Sequence, residues 1–154
     1  MAGTYADGTS VAPEKSRAEI ERTLQRFGAD SFAYGSSREQ AIVGFAAHGR
    51  QIRIELALPD PEERRFHVTP TGRQRTKSAA QGEYNAEVRR MWRALALVVK
   101  AKLEAVESGI GTFEQEFLAY TVLPGGRTVG QEVIPAVEKA YEIGSVEPLM
   151  QIGA

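Results

Sequence analysis

The first periodic run of apolar positions is Ile20, Leu24 and Phe27, spaced by four and three, which predicts one buried face of an α-helix. Pro13 suits a first helical turn, Ser16-Arg-Ala-Glu19 has the pattern of a capping box, and Gly28 supplies the stop. The period then drops to two. Phe32 and Tyr34 alternate with small residues, and residues 40–47 (QAIVGFAA) are apolar on both faces, as in a central strand. Ile52, Ile54, Leu56 and Leu58 alternate with Gln51, Arg53, Glu55 and Ala57, the pattern of a half-buried strand. The links Ser36-Ser37-Arg38 and His48-Gly49-Arg50 are too short for parallel crossovers, so an antiparallel meander is expected, ended by Pro59-Asp60-Pro61.

Residues 59–77 form the one long irregular stretch, expected as a mobile loop or extended hairpin with Arg64–Val68 as a candidate edge strand. Ser78-Ala-Ala-Gln81 reads as a capping box opening the longest helix, along which Val88, Trp92, Leu95, Val99, Leu103 and Val106 recur until Gly109. About 28 residues at 1.5 Å each give about 42 Å, more than a small sheet can cover, so part of this helix should serve another element. Thr112-Phe-Glu-Gln115 and Thr128-Val-Gly-Gln131 are two further capping boxes, separated by a tight turn at Leu123-Pro-Gly-Gly-Arg-Thr-Val129. Pro135 should kink the last helix or shift its start, and Gly144 should end it.

The order predicts an α+β fold: an N-terminal helix, a three-stranded antiparallel meander, a long helix and a helical C-terminal half. Residues 1–10 are expected to be a flexible arm, 11–144 a single domain and 145–154 a C-terminal tail.

Composition narrows the setting. With 154 residues the chain can bury a core without staples. No apolar run approaches the roughly 18–20 residues of a membrane span, and the first residues lack a basic stretch leading into an apolar one. Cysteine is absent, so disulfides, thiolate metal sites and cysteine nucleophiles are excluded together. A cytoplasmic location is the expectation.

The net charge of −1 conceals an asymmetry. Residues 1–49 sum to −1, residues 50–102 carry twelve Lys/Arg against six Asp/Glu, and residues 103–154 carry two against eight. A +6 middle and a −6 end therefore sit in one chain.

Catalytic constellations are sparse. His48 and His67 stand in no metal-ligand spacing, and no nucleophile elbow or phosphate-binding loop occurs. Asp60 has no matching strand acid, while Glu104 with Glu107, and Glu114 with Glu116, read as solvated helix faces. The chain is expected to be non-enzymatic, with no catalytic residues, metal or cofactor.

The basic middle has more texture. Arg64, Arg65, Arg73, Arg75 and Lys77 occur with no acid between Arg64 and Gly82, and Phe66 and His67 add rings able to stack on bases. Arg89, Arg90 and Arg93 on the following helix could extend the same surface, whereas Tyr84 and Trp92 fall on the apolar stripe and belong to the core. The alternative is a solvated connector.

The stretches VAPEKSRAEIERTLQRFGA, WRALALVVKAKLEAVESGIGTFEQEFLAY and LPGGRTVGQ resemble a family of small proteins of tailed phages and prophages, over about Val11 to Leu149. The resemblance implies a bacterial host cytosol and a place among phage accessory or DNA-metabolism proteins, and it transfers no site residues. The element order is also similar to the β-β-β-α core of single-strand annealing proteins, which hold DNA in a basic groove. Together these lead to the expectation of a phage accessory protein that binds nucleic acid, single-stranded DNA above all, as a homo-oligomer and away from membranes. The alternative is a counter-defence or structural interaction protein that binds a host protein or a small signalling nucleotide.

Overall fold

The computed structural model describes residues 9–144, so the tail 145–154 and all but the end of the N-terminal arm lie outside the described residues. Helix α1 spans Pro13–Phe27, with Pro13 in its first turn and Ala12 at its extended N-cap. Proline fixes the helical φ and needs no N–H partner there, so the helix starts before Ser16. Ser16 is consequently not a cap. It lies inside the helix, fully buried, with its Oγ unpartnered. Gly28 ends α1 at φ 96°, a left-handed conformation that returns its N–H to Gln25.

Strands β1 (Ser31–Ser36), β2 (Gln40–Ala47) and β3 (Arg50–Ala57) form the expected antiparallel meander with β2 central. His48 and Gly49 turn the β2–β3 hairpin with φ of 54° and 70°, the left-handed pair of a type I′ turn. Pairing places Phe32, Phe45 and Ile52 in one row and Tyr34, Val43 and Ile54 in the next. These rows face the helices. Ile20 and Leu24 of α1 join Val43, Phe45, Ile52 and Ile54 of the sheet and Trp92, Leu95, Val99 and Leu103 of α3 in one core. Each large aliphatic or aromatic side chain buried there contributes about 1.5–3 kcal/mol.

The opposite face differs from the sequence expectation. Ile42, Gly44 and Ala46 of the central strand are only half-buried, and with Ala33 and Gly35 they line an open trough of about 520 Å³.

Within residues 59–77 the expected hairpin is present at Val68–Gln74, but the candidate edge strand Arg64–Val68 is not a strand. Arg64–His67 is one helical turn, α2, because the Glu63 N–H bonds the Asp60 carbonyl at 3.0 Å and the Phe66 N–H bonds the Glu63 carbonyl at 3.0 Å. Phe66 is 4% exposed and packs edge-on against Tyr84, with ring centres 5.7 Å apart. A tight hairpin follows, closed by a Val68–Gln74 bridge around Gly72.

Helix α3 spans Lys77–Glu107, 31 residues, about 46 Å at 1.5 Å each. Its cap is Thr76 rather than Ser78. Thr76 keeps an extended backbone and its hydroxyl accepts from the Ala79 N–H at 3.1 Å. The end of α3 beyond the sheet is occupied by α2.

The C-terminal part follows its capping boxes. Helix α4 (Phe113–Glu116) carries both halves of the Thr112–Gln115 box, and Phe113 and Phe117 close the core against Phe45. A 3-10 turn at Leu118–Tyr120 leads to a bridge between Thr121 and Ile52 along β3. Helix α5 (Val129–Ile143) starts at the Thr128–Gln131 box. Pro135 does not move that start and lies inside the helix. A proline there cannot donate to the carbonyl of Gln131, and Arg127 donates to that oxygen instead at 2.9 Å. Gly130 seats α5 on the preceding turn, where a Cβ would stand 2.9 Å from the Ala119 carbonyl oxygen.

Candidate nucleic-acid interface

The structure separates the nine basic-segment candidates into spent and unspent groups. Arg65 is ion-paired to Glu63 at 2.7 Å and to Glu87 at 3.7 Å, and its guanidinium lies over the Phe66 ring. Phe66 itself is buried, so it offers no ring face to a base. Arg75 donates to the carbonyls of Arg65, Phe66 and Val68 at 2.9, 3.4 and 3.2 Å, tying the hairpin to α2. His67 sits 2.9 Å from the Pro61 carbonyl oxygen and is part of the same fastening. Arg90 makes a two-pronged pair with Glu87 at 3.0 and 2.7 Å. Arg93 is ion-paired to Glu19. Arg89 is half-buried with its Nε shielded from solvent and unpartnered. Arg64, Arg73 and Lys77 are exposed, with no carboxylate at ion-pairing distance among the described residues.

The stronger concentration of unspent charge lies elsewhere, in the seam between α1 and α3. Two recesses run along it. One, of about 460 Å³, is lined by Val11, Lys15, Ala18, Glu19, Arg22 and Arg93. The other, of about 610 Å³, is lined by Glu19, Arg22, Thr23, Gln25, Arg26 and Lys100. They adjoin at Glu19 and Arg22, which line both, and together they make the α1–α3 groove. Lys15, Arg22 and Arg26 are seven and four apart on α1, and Arg89, Arg93 and Lys100 are four and seven apart on α3, so each set keeps to one helical face.

Lys15, Arg22, Arg26 and Lys100 are exposed and have no carboxylate at ion-pairing distance among the described residues. Glu19 is the carboxylate lining the groove, and Arg93 already holds it. From Lys15 to Arg26 the row is about 16 Å long at 1.5 Å per residue. The row on α1 and Lys100 on α3, on helices whose axes lie about 8–10 Å apart in such packing, can contact one phosphodiester chain from two sides.

The basic-segment reading missed Lys15, Arg22, Arg26 and Lys100. The matching intervals 15–22–26 and 89–93–100 were the available signal, hidden because Glu14, Glu19 and Glu21 cancel the charge of residues 1–49. Three of the carboxylates considered for chemistry have structural partners. The Asp60 carboxylate accepts from the Glu62 N–H at 2.9 Å, Glu114 pairs with Arg50 at 3.7 Å and Glu116 with Lys102 at 4.0 Å. The His48 ring stacks on Phe113 with centres 4.8 Å apart. Among the described residues no three His, Asp or Glu gather as a metal-ligand set, and no helix is long and apolar enough to cross a membrane. No family model, curated protein or solved structure matches this chain.

Proposed function

We propose that the chain binds the phosphate backbone of single-stranded nucleic acid along the α1–α3 groove, as a non-enzymatic accessory protein of a tailed phage acting in the host cytosol. The observation that carries this reading is that Lys15, Arg22, Arg26 and Lys100 line two adjoining recesses of the α1–α3 seam with no carboxylate at ion-pairing distance among the described residues. Surface cations not bound for an internal partner cost little to hold apart in water, and they gain by exchanging condensed counterions for phosphates. The groove lacks aromatic rings, so binding should be largely independent of base sequence. Arg64, Arg73 and Lys77 add a smaller auxiliary surface.

The test is titration of a labelled oligonucleotide of about 30 bases at several salt concentrations. Four contacts releasing about 0.7 counterion each give a log–log slope of about −2.8, a loss of about 50-fold between 50 and 200 mM salt. Undetectable binding at 50 mM removes the reading. Capture of a small nucleotide without preference for the longer strand would favour the signalling-nucleotide alternative.

A further inference from the structure

We propose that the outer edge of β1 is an interaction surface, and that it pairs antiparallel with the same edge of a second copy of this chain, centred on Tyr34. The two edges of the sheet are finished differently. Beyond β3 the chain returns, the Val122 N–H donating to the Gln51 carbonyl at 2.8 Å beside the Ile52–Thr121 bridge. β1 is the other edge, and no strand or bridge pairs with its outer side among the described residues. Five of its six residues are exposed, Phe32 being the half-buried one.

Edge strands are usually guarded by charge, proline or a bulge. Ser31–Ser36 (SFAYGS) has no charge and no proline, and its register with β2 runs from Ser31 to Ser36 without interruption. The Ser37 N–H donates to the Gln40 carbonyl at 2.8 Å, which fixes the alternation of the antiparallel ladder. Ser31, Ala33 and Gly35 therefore spend their backbone groups on β2, while Phe32, Tyr34 and Ser36 point theirs outward.

That alternation restricts self-pairing. Outward residues must oppose outward residues, so a two-fold axis passes between one residue and its own copy. With the axis at Tyr34 the whole strand is used: Phe32 opposes Ser36 and Tyr34 opposes Tyr34, giving about six backbone hydrogen bonds. The Arg17 guanidinium lies over the Tyr34 ring at 4.7 Å, so the residue at the axis is already held in place. The same register sets Asp30 of each copy opposite Arg38 of the other. Both are exposed, at the two ends of β1, and neither has an ion-pair partner among the described residues. Moving the axis to Ala33 or Gly35 loses both pairs. The edge is thus complementary to itself in backbone and in charge, which selects a second copy as its occupant.

Sedimentation at tens of micromolar and low salt should give a dimer for the native chain. Asp30→Arg opposes two arginines and Arg38→Asp opposes two aspartates, so each variant alone should self-associate more weakly, on the order of tenfold. Mixed in equal amounts, the two variants should recover the native affinity, because every opposed pair is then of unlike charge. Both side chains are exposed, so circular dichroism should stay native. The absence of cysteine permits a second, positional readout. Tyr34→Cys brings two thiols to an opposed pair with Cα atoms about 5.5 Å apart, and should give a disulfide-linked dimer under mild oxidation. Ala33→Cys is displaced by two residues from its own copy and should not. A monomeric native chain, single variants that associate as tightly as the native chain, or a mixture no tighter than its components would each overturn the proposal. Linking of Ala33→Cys in preference to Tyr34→Cys would overturn it as well. A monomer would leave the edge to a strand of a different protein.

Discussion

Two regions of this molecule are rich in arginine and lysine, the 64–77 segment and the α1–α3 seam, and they use their charge in different ways. In the first the cations are close in sequence, and Arg65 and Arg75 are spent on partners within the segment and on α3 while Arg64, Arg73 and Lys77 stay exposed. Arg75 caps three backbone carbonyls and Arg65 is shared between Glu63 and Glu87. In the second the cations come from positions as far apart as Lys15 and Lys100, and four of them have no acidic partner among the described residues. A dense basic run in a sequence is therefore a poor guide to available charge when the run must also fasten an irregular segment. Such a segment has backbone carbonyls that no helix or sheet satisfies, and guanidinium groups are well suited to satisfy them.

The contrast can be broken most forcefully at Phe66. If the 59–77 segment is fastened rather than functional, Phe66→Ala should lower unfolding stability by about 3 kcal/mol, the cost of an aromatic side chain removed from a packed site. Its effect on the salt slope of oligonucleotide binding should be negligible. Chemical denaturation and titration on the same preparation check both halves, and a lost slope with intact stability would return the site to this segment.

Arg75→Ala is the next largest. Removing a donor to the Arg65, Phe66 and Val68 carbonyls should cost about 2 kcal/mol, as hydrogen bonds from a charged group usually do. Arg75→Lys should rescue little, because a single ammonium on a flexible stem does not reproduce the planar fork. Proteolysis near Thr71-Gly72 should accelerate in both variants, and unchanged protection would contradict the fastening role.

Much of this architecture was legible from periodicity and caps. The strand alternation at Ile52, Ile54 and Leu56, the His48-Gly49 turn, and the capping boxes at Thr112 and Thr128 are local signals, and local chemistry decides them. The misreadings share a different cause. Ser16 and Ser78 fit cap patterns, yet Pro13 and Thr76 claimed the helix starts first, because the helix begins at whichever residue the preceding chain delivers. Arg64–Val68 looked like a strand because Phe66 is apolar, but its partner Tyr84 lies on another element. The α1–α3 groove was hidden for the same reason. Packing of two helices joins Lys15, Arg22 and Arg26 with Lys100, and no window of sequence contains them together.

In the groove itself the comparison is sharpened by Arg22→Ala with Arg26→Ala. Losing two phosphate contacts should shallow the slope from about −2.8 to about −1.4 and weaken binding about 25-fold at 0.1 M salt. The loss should be the same for strands of different base composition, since phosphate contacts carry no base information. Both side chains are exposed, so thermal stability should move little. Replacing Arg64 and Arg73 by alanine makes the matched comparison in the other region, and an equal or larger loss there would reverse the ranking of the two surfaces.

The smallest effect is the most diagnostic, because it predicts a gain. Glu19 is the acid lining the groove, and it occupies Arg93. Glu19→Gln removes a negative charge from the path of the strand and releases a guanidinium to meet it. One added contact should steepen the slope by about 0.7 and tighten binding about fivefold at 0.1 M salt. Stability should fall by less than about 1 kcal/mol, because both partners of the pair are partly solvated and such pairs contribute little. Glu63→Gln, which removes one of the two acids from Arg65, provides the contrast: the other acid and the Phe66 ring still hold that guanidinium, so the slope should not change. A gain confined to Glu19→Gln is expected only if the strand lies in the seam. Equal gains from both substitutions would mean that general surface charge drives binding, and the difference between the two regions would lose its functional meaning.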